Sequence, residues 1–208
     1  MEMHSQEKSS RALLRQEILA RRDRLPAQER REKSCALAAR LETLACLNQA
    51  RSILFFVSFR SEVETLFLMR QALAHGVQVA APLTMSREKE LRIFAITDLD
   101  VDLVQGYQGI WEPDPKRCLQ LEPAALDLVI VPGSVFDLHG GRMGYGGGYY
   151  DRFLATRAPQ ATRVGICFEL QLVAEVPMAA HDQYLDYVVT EAQITETGRR
   201  PSSLHWSP

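Results

Sequence analysis

Between Gly140 and Phe153 the chain reads GGRMGYGGGYYDRF, in which glycines, one arginine, paired tyrosines and an aspartate directly follow an apolar run. Glycine lets a backbone take positive φ and approach a ligand closely, and successive exposed N–H groups leading into a helix form a cradle for an anion. The chemistry such residues can do is phosphate handling. Arg142, inside the stretch, would offer a guanidinium fork to the same oxygens. The better-known phosphate loops do not fit. Gly141 and Gly146 satisfy the first half of G-x-x-x-x-G-K-[ST], but Gly147 and Gly148 stand where lysine and Ser/Thr are required. In G-x-G-x-x-G, Tyr149 stands in place of the third glycine, and the kinase strings V-A-I-K and H-R-D are absent. A wide, glycine-rich surface turn is the bland alternative.

The elements that must position this stretch are legible from periodicity. Ser9 or Ser10 can cap a helix running to about Arg24, and Pro26 breaks it before a second helix carrying Leu37, Leu41, Leu44 and Leu47. The pattern then alternates: strand Ser52–Phe59, helix from about Glu62 to His75, strands VQVAAP and LRIFAI, a loop with Pro113 and Pro115, and strand Leu126–Gly133. After the glycines come a helix near Tyr149–Arg157, strand Thr162–Glu169, a short helix near Val173 and strand Leu185–Thr190. Near-continuous Val/Ile/Phe runs mark strands covered on both faces. They predict an α/β fold: a three-layer, Rossmann-like, open and mostly parallel sheet with helices on both faces, preceded by two helices. A single domain over residues 1–208 is expected, with a helical segment at about 9–47 and a loose polar tail at about 191–208. In such sheets ligands bind beyond the strands' carboxyl ends, which draws attention to Phe59–Glu64, Pro82–Thr84, Gly133–Asp151 and Phe168–Glu169. Ser61 with Glu64 reads S-x-x-E, a capping box that gives Glu64 a structural duty.

Composition narrows the class. With 46% hydrophobic residues the 208-residue chain can bury a substantial core, which excludes disorder and collagen. Its apolar runs are too short to span a bilayer, and Met1–Ser10 lacks the apolar centre of a signal peptide, so a cytoplasmic protein is expected. Cys35, Cys46, Cys118 and Cys167 form no C-x-x-C pair, which leaves reduced thiols as the default. A net charge of −2 gives no general attraction to nucleic acid, yet Lys8–Lys33 is locally basic. On a helix, positions 11, 15 and 22 fall within about 40° of one another, making one basic stripe. A solvated helix surface is the plainer reading of that charge.

The string GRMGYGGGYYDRFL resembles the signature of the 5-formyltetrahydrofolate cyclo-ligase (5,10-methenyltetrahydrofolate synthetase) family, G-x-R-[Leu/Met]-G-x-G-x-G-Tyr-Tyr-Asp-Arg. RALLR at Arg11–Arg15, SEVET, LDLVIVPGSVFDLHG and VPMAAHDQYLDYVVTE extend the similarity over most of the chain. The resemblance implies an ATP-dependent cyclo-ligase that converts 5-formyltetrahydrofolate into 5,10-methenyltetrahydrofolate, ADP and phosphate through a phosphorylated formyl group. Arg142, Tyr150 and Asp151 would be its catalytic residues. Arg11, Arg15, Arg142, Gly144, Tyr145, Gly146, Gly147, Gly148, Tyr149 and Tyr150 would surround ATP. Val57, Glu62 and Tyr150 would meet the folate, and Asp151 with Asp182 would hold Mg2+. On spacing alone Asp151 serves equally as a helix-dipole partner and Asp182 as a turn residue. Arg11 stands where the family has lysine, Gly147 where some members have a basic residue, and Ile110-Trp111-Glu112-Pro113 where Ile-Pro-x-Pro is common. Small-molecule partners, no nucleic acid, no membrane and a monomer are expected. Two rivals remain open: an ATP-dependent ligase for another N-formyl or carboxyl compound, and a non-catalytic nucleotide- or folate-binding protein.

Overall fold

The most apolar runs form the centre of the molecule. The computed structural model describes residues 2–106 and 109–198. Within them helices α1 (Glu2–Asp23), α2 (Ala27–Leu41) and α3 (Ala45–Gln49) precede β1 (Ser52–Leu54), α4 (Leu66–Ala74), β2 (Gln78–Met85) and β3 (Glu90–Ile96). Next come α5 (Leu99–Asp102), β4 (Leu103–Gln105), β5 (Trp111–Pro113), β6 (Gln120–Leu121), β7 (Leu128–Val131), β8 (Val135–Phe136) and β9 (Arg142–Met143). The chain closes with α6 (Tyr149–Thr156), β10 (Thr162–Ile166), β11 (Tyr187–Val189) and β12 (Ile194–Glu196).

Eight strands make one sheet in the order β12-β11-β10-β7-β1-β2-β3-β6. The five from β11 to β2 are parallel, and β12, β3 and β6 add antiparallel edges. The mostly parallel sheet expected from the apolar runs is therefore present. Alternation along each strand divides the core. Ile53, Leu128 and Ile130 pack with Leu37, Leu41 and Met69 of α2 and α4 on one face, while Leu54, Val129 and Val131 pack with Phe153 and Leu154 of α6 on the other. From β1 the chain first adds β2 on one side and then crosses to β7 on the other. The carboxyl ends of β1 and β7 thus flank the point where strand order reverses, the place where open α/β sheets leave a crevice.

Several boundaries differ from the periodic reading, for physical reasons. The strand read as Ser52–Phe59 stops at Leu54 because the backbone beyond it is held by a side chain. Thr65 Oγ1 donates to the Phe56 carbonyl at 2.7 Å and accepts from Ser58 N at 3.0 Å. Helix α4 consequently starts at Leu66, with no side-chain cap. The capping box at Ser61–Glu64 does not form, since Ser61 Oγ is taken by Arg22 Nε at 3.0 Å and by Asp23. The polar stretch after Glu191 is not loose as far as Glu196: β12 pairs antiparallel with β11, and Glu191 is held by Lys33 Nζ at 2.7 Å and by Glu169 N at 2.8 Å. The rest of that expected tail, 199–208, lies outside the described residues. Among the described residues no helix is long and apolar enough to cross a membrane, and all four cysteines are unpaired.

Asp127 ties the amino-terminal ends of β1 and β7 together, its Oδ2 accepting from Arg51 N at 2.8 Å and from Ser52 N at 3.0 Å. The Arg51 amide bond, outweighing partial burial, holds this carboxyl below the usual aspartate range. A carboxyl depressed on folding contributes stability above its unfolded pKa, of about 3.9, and loses it as pH falls through the folded value. Urea midpoints should therefore drop between about pH 5 and pH 3, and Asp127→Asn should lower the neutral-pH midpoint while flattening that drop.

Candidate functional site

The glycine stretch leaves β9 and enters α6 at the carboxyl edge of the sheet. Its conformation depends on glycine at two points: Gly146 at φ 102° and Gly148, the residue before α6, at φ 63°. Among the described residues no main-chain N–H from Tyr145 to Asp151 donates a hydrogen bond within the chain. Those amides are available to a ligand.

The loop divides its residues between two cavities. Gly144, Gly146, Gly148 and Asp151 border a polar cleft of about 600 Å3 together with Arg11, Arg15, Met178 and Asp182. Tyr145, Tyr149 and Tyr150 border an apolar pocket of about 470 Å3 with Phe56, Val57, Glu62, Pro132 and Trp111. The loop is a thin wall between the two. A larger cavity of about 980 Å3 lies elsewhere, between α2–α3 and α4, and contains none of these groups.

Helix α1 crosses the mouth of the cleft with its basic stripe inward. Arg11 Nη2 donates to Asp182 Oδ2 at 2.8 Å, and Arg15 Nε donates to the Gly144 carbonyl at 3.0 Å. Burial and the neighbouring Arg11 depress the Arg15 guanidinium, Asp182 opposing them, though an arginine stays charged at neutral pH. Asp182 Oδ2 also accepts from Ala179 N at 2.8 Å. Each aspartate of the cleft is thus already paired with an arginine. Asp151 Oδ1 accepts from Arg142 Nη2 at 2.6 Å and from Gln183 N at 3.0 Å.

Arg142 sits differently from the expectation that it forks onto a ligand. Its side chain is 1% exposed and points under the loop, giving its second nitrogen to the Pro132 carbonyl at 3.2 Å. The β8–β9 turn buries it, and the nearby carboxylate of Asp151 offsets the cost of removing a charge from water. Gly147 lines neither cavity, and a Cβ there would come within 2.6 Å of the Tyr149 ring. Tyr149 itself is half-buried, with the Arg152 guanidinium 5.2 Å from its ring centre.

In the apolar pocket Val57 and Glu62 meet, as their positions after β1 imply. Burial pushes the Glu62 carboxyl up, against hydrogen bonds from Tyr145 and Phe59 N and the charge of Arg22. The hydroxyl of Tyr150 is buried with no partner among the described residues, and so is Nε of Arg142. Burial first, then the charge of Glu62, raises the Tyr150 phenol, so it remains a neutral donor. Trp111, on β5, lines the same pocket and is 44% exposed.

The family model described as 5-formyltetrahydrofolate cyclo-ligase family matches residues 7–191. The chain belongs to this family. It is similar to the 5-formyltetrahydrofolate cyclo-ligase of Escherichia coli (strain K12), with 31% identity covering 86% of this chain and 99% of that one. A probable 5-formyltetrahydrofolate cyclo-ligase of Caenorhabditis elegans is 26% identical over 89% of this chain and 95% of its own length. The solved 5,10-methenyltetrahydrofolate synthetase of Aquifex aeolicus superposes with a TM-score of 0.80 at 28% identity, covering 94% of this chain and 96% of that one. Family membership makes this protein a ligase by class and confirms the resemblance carried by the glycine string.

Sequence reasoning gave no role to Arg22, Asp137 or Gln183. Arg22, although on the predicted stripe, turns out to be buried and bonded to Tyr145 and Ser61. Asp137 accepts from the amides of His139, Gly141 and Val176 and so fixes the turn before β9, a task with no spacing signature. Gln183 acts through its main chain, which no side-chain pattern reveals.

Removing one member of a buried ion pair strands the other. Arg142→Met should cost about 3–5 kcal/mol in urea unfolding, and the double variant Arg142→Met/Asp151→Leu should recover most of that loss. Equal stability of the wild type and Arg142→Met would show that the pair does not hold the loop.

Proposed function

We propose that this protein closes the N5-formyl group of 5-formyltetrahydrofolate onto N10 at the expense of ATP, giving 5,10-methenyltetrahydrofolate, ADP and phosphate. The observation that carries the reading is the shared wall: one loop has free amides toward a cleft ringed by arginines and aspartates, and tyrosines toward an apolar pocket holding a buried carboxylate. A triphosphate suits the first cavity and a pterin ring the second. The substrates would meet at Tyr150, between them.

A formyl oxygen on nitrogen is a poor leaving group and must be activated. In the proposed sequence it attacks the terminal phosphorus, a P–O bond to ADP breaks, and an imidate phosphate results. N10 then attacks the imidate carbon, loses its proton, and inorganic phosphate departs with the former formyl oxygen. Such a transfer asks for position and charge neutralisation rather than a protein nucleophile. Arg11 and Arg15 supply positive charge at the cleft, and the amides of Gly144 to Tyr150 supply donors. Arg142 works from beneath, holding Asp151 in place. Val57 and Tyr150 would border the folate, with Glu62 accepting hydrogen bonds from pterin N–H groups.

Magnesium fits the donor set. Asp151 and Asp182 are hard oxygen ligands on one cleft, each with one carboxylate oxygen outside its arginine bond. Among the described residues there is no cluster of three or more metal-ligating side chains, but Mg2+ needs only one or two carboxylates when phosphates and water complete its shell. Bound there, it would neutralise charge developing on the transferred phosphoryl group.

Pure protein incubated with MgATP and 5-formyltetrahydrofolate should release phosphate and generate the methenyl ultraviolet band, each only when both substrates are present. Asp151→Asn should lower kcat by roughly 10²-fold or more while retaining the wild-type far-ultraviolet spectrum. A wild-type enzyme without product, or a variant at full rate, would overturn the corresponding assignment.

A further inference from the structure

Tyr145 occupies a position that the family signature leaves open, and its contacts have no counterpart elsewhere in the loop. Its ring is half exposed, at 49%, yet its hydroxyl is fully engaged. It donates to Oε1 of Glu62 and accepts from Arg22 Nη1 at 2.9 Å, with the guanidinium carbon 5.9 Å from the ring centre. Each of these partners is itself fixed. Glu62 Oε2 accepts from Phe59 N at 2.9 Å, and Arg22 Nε donates to Ser61 Oγ at 3.0 Å. Ser61 in turn bonds Asp23. Both partners are buried, Glu62 at 9% exposure and Arg22 at 4%. Burial and the charge of Glu62 push the phenol up, so it stays an O–H donor across the physiological range.

On either side of Tyr145 the loop is held differently. Gly144 is fixed by Arg15 through its carbonyl, whereas Gly146 and Gly148 adopt positive φ and Gly146 has nothing nearer than 3.9 Å to the place where a Cβ would be. Between the carbonyl of Gly144 and that of Gly147, which accepts from Arg152 Nη2 at 2.8 Å, Tyr145 is the one non-glycine residue, and its hydroxyl anchors the stretch. Glycine loses more conformational freedom on ordering than any other residue, so an unanchored loop would have to be ordered by its ligand.

We infer that Tyr145 is a positioning residue: its bond to Glu62, on the wall of the apolar pocket, latches the glycine loop in a phosphate-ready shape and so makes nucleotide affinity depend on a carboxylate in the other cavity. The inference rests on the nucleotide reading of the cleft given above and deepens it. Glu62 lines the apolar pocket and not the polar cleft, so its hydrogen bond to Tyr145 is its direct contact with the glycine loop.

Calorimetric titration of the full chain with MgADP, in the absence of any folate, tests it. Loss of one hydrogen bond of about 1 kcal/mol corresponds to a change of about five-fold. Tyr145→Phe and Glu62→Met should each raise the Kd about five-fold or more, and the double variant should bind no more weakly than the worse single one. Glu62→Gln, which keeps an acceptor for the phenol, should stay within about two-fold of wild type. Matching far-ultraviolet spectra and melting curves separate affinity from misfolding. Variants that bind like wild type, or singles whose effects multiply in the double, overturn the latch while leaving the nucleotide reading in place. A folded wild type that fails to bind MgADP removes both.

Discussion

A buried ion pair sets the geometry on which everything else at this site depends. Arg142 is the first residue of β9 and Asp151 lies in the first turn of α6, so their 2.6 Å contact closes the glycine loop at its two ends. Burying two charges is costly unless each is satisfied, and here the guanidinium also reaches the Pro132 carbonyl while the carboxylate also takes Gln183 N. The staple lies beneath the loop and uses none of the loop's own main-chain N–H groups. The main-chain N–H groups above it therefore stay unspent, which a loop anchored through its own backbone ladder could not achieve.

The helix laid over the cleft completes this division of labour. Arg11, Arg15 and Arg22 project from one stripe of α1 and reach Asp182, the Gly144 carbonyl and the Tyr145 hydroxyl respectively. Arg22 also donates to Ser61 Oγ, so four contacts along one helix bind the glycine loop, the segment before β11 and the loop after β1 into a single frame. Burial first, and then the like charge of Arg11, depress the Arg15 guanidinium, with Asp182 opposing them. A polyanion bound in the cleft, as proposed, would relieve the repulsion between these arginines.

Much of the frame was legible in the sequence because it follows from local pattern. Continuous apolar runs at Leu128–Val131 and Thr162–Ile166 are strands buried on both faces, and α6 begins at the tyrosine where the glycines end. The basic stripe followed from helical geometry alone. What could not be read depends on contacts distant in sequence. Nothing local tells that Thr65 replaces a neighbouring strand beyond Leu54, that Ser61 serves Arg22 and Asp23 instead of a helix cap, or that Glu191 is drawn into the fold by Lys33. Arg142 is the instructive case at the site: its type and place in a glycine loop suggest a ligand contact, and only the β8–β9 turn sends it inward. Tyr145 is expected beside ATP from the resemblance, but its side chain lines the apolar pocket, where its partner Glu62 comes from 83 residues away.

The division of the loop between two cavities also bears on why a transfer between unlike substrates would be housed here. A phosphate-bearing ligand needs polar donors and charge, and an aromatic one needs an apolar slot. In a single cavity each set would compromise the other, since donors unpaired by the aromatic ligand would be buried at a cost. The glycine loop separates the two environments, and the proposed occupants would meet across it. Tyr150 is where that separation is thinnest in chemical terms: its hydroxyl is buried beside Glu62 and Arg142 with no partner among the described residues. An unsatisfied buried donor is costly to a folded chain and is tolerated where a ligand supplies the missing acceptor. In the proposed reaction the formyl oxygen, or the phosphate oxygens that later carry it away, would be such an acceptor at the junction between the two cavities.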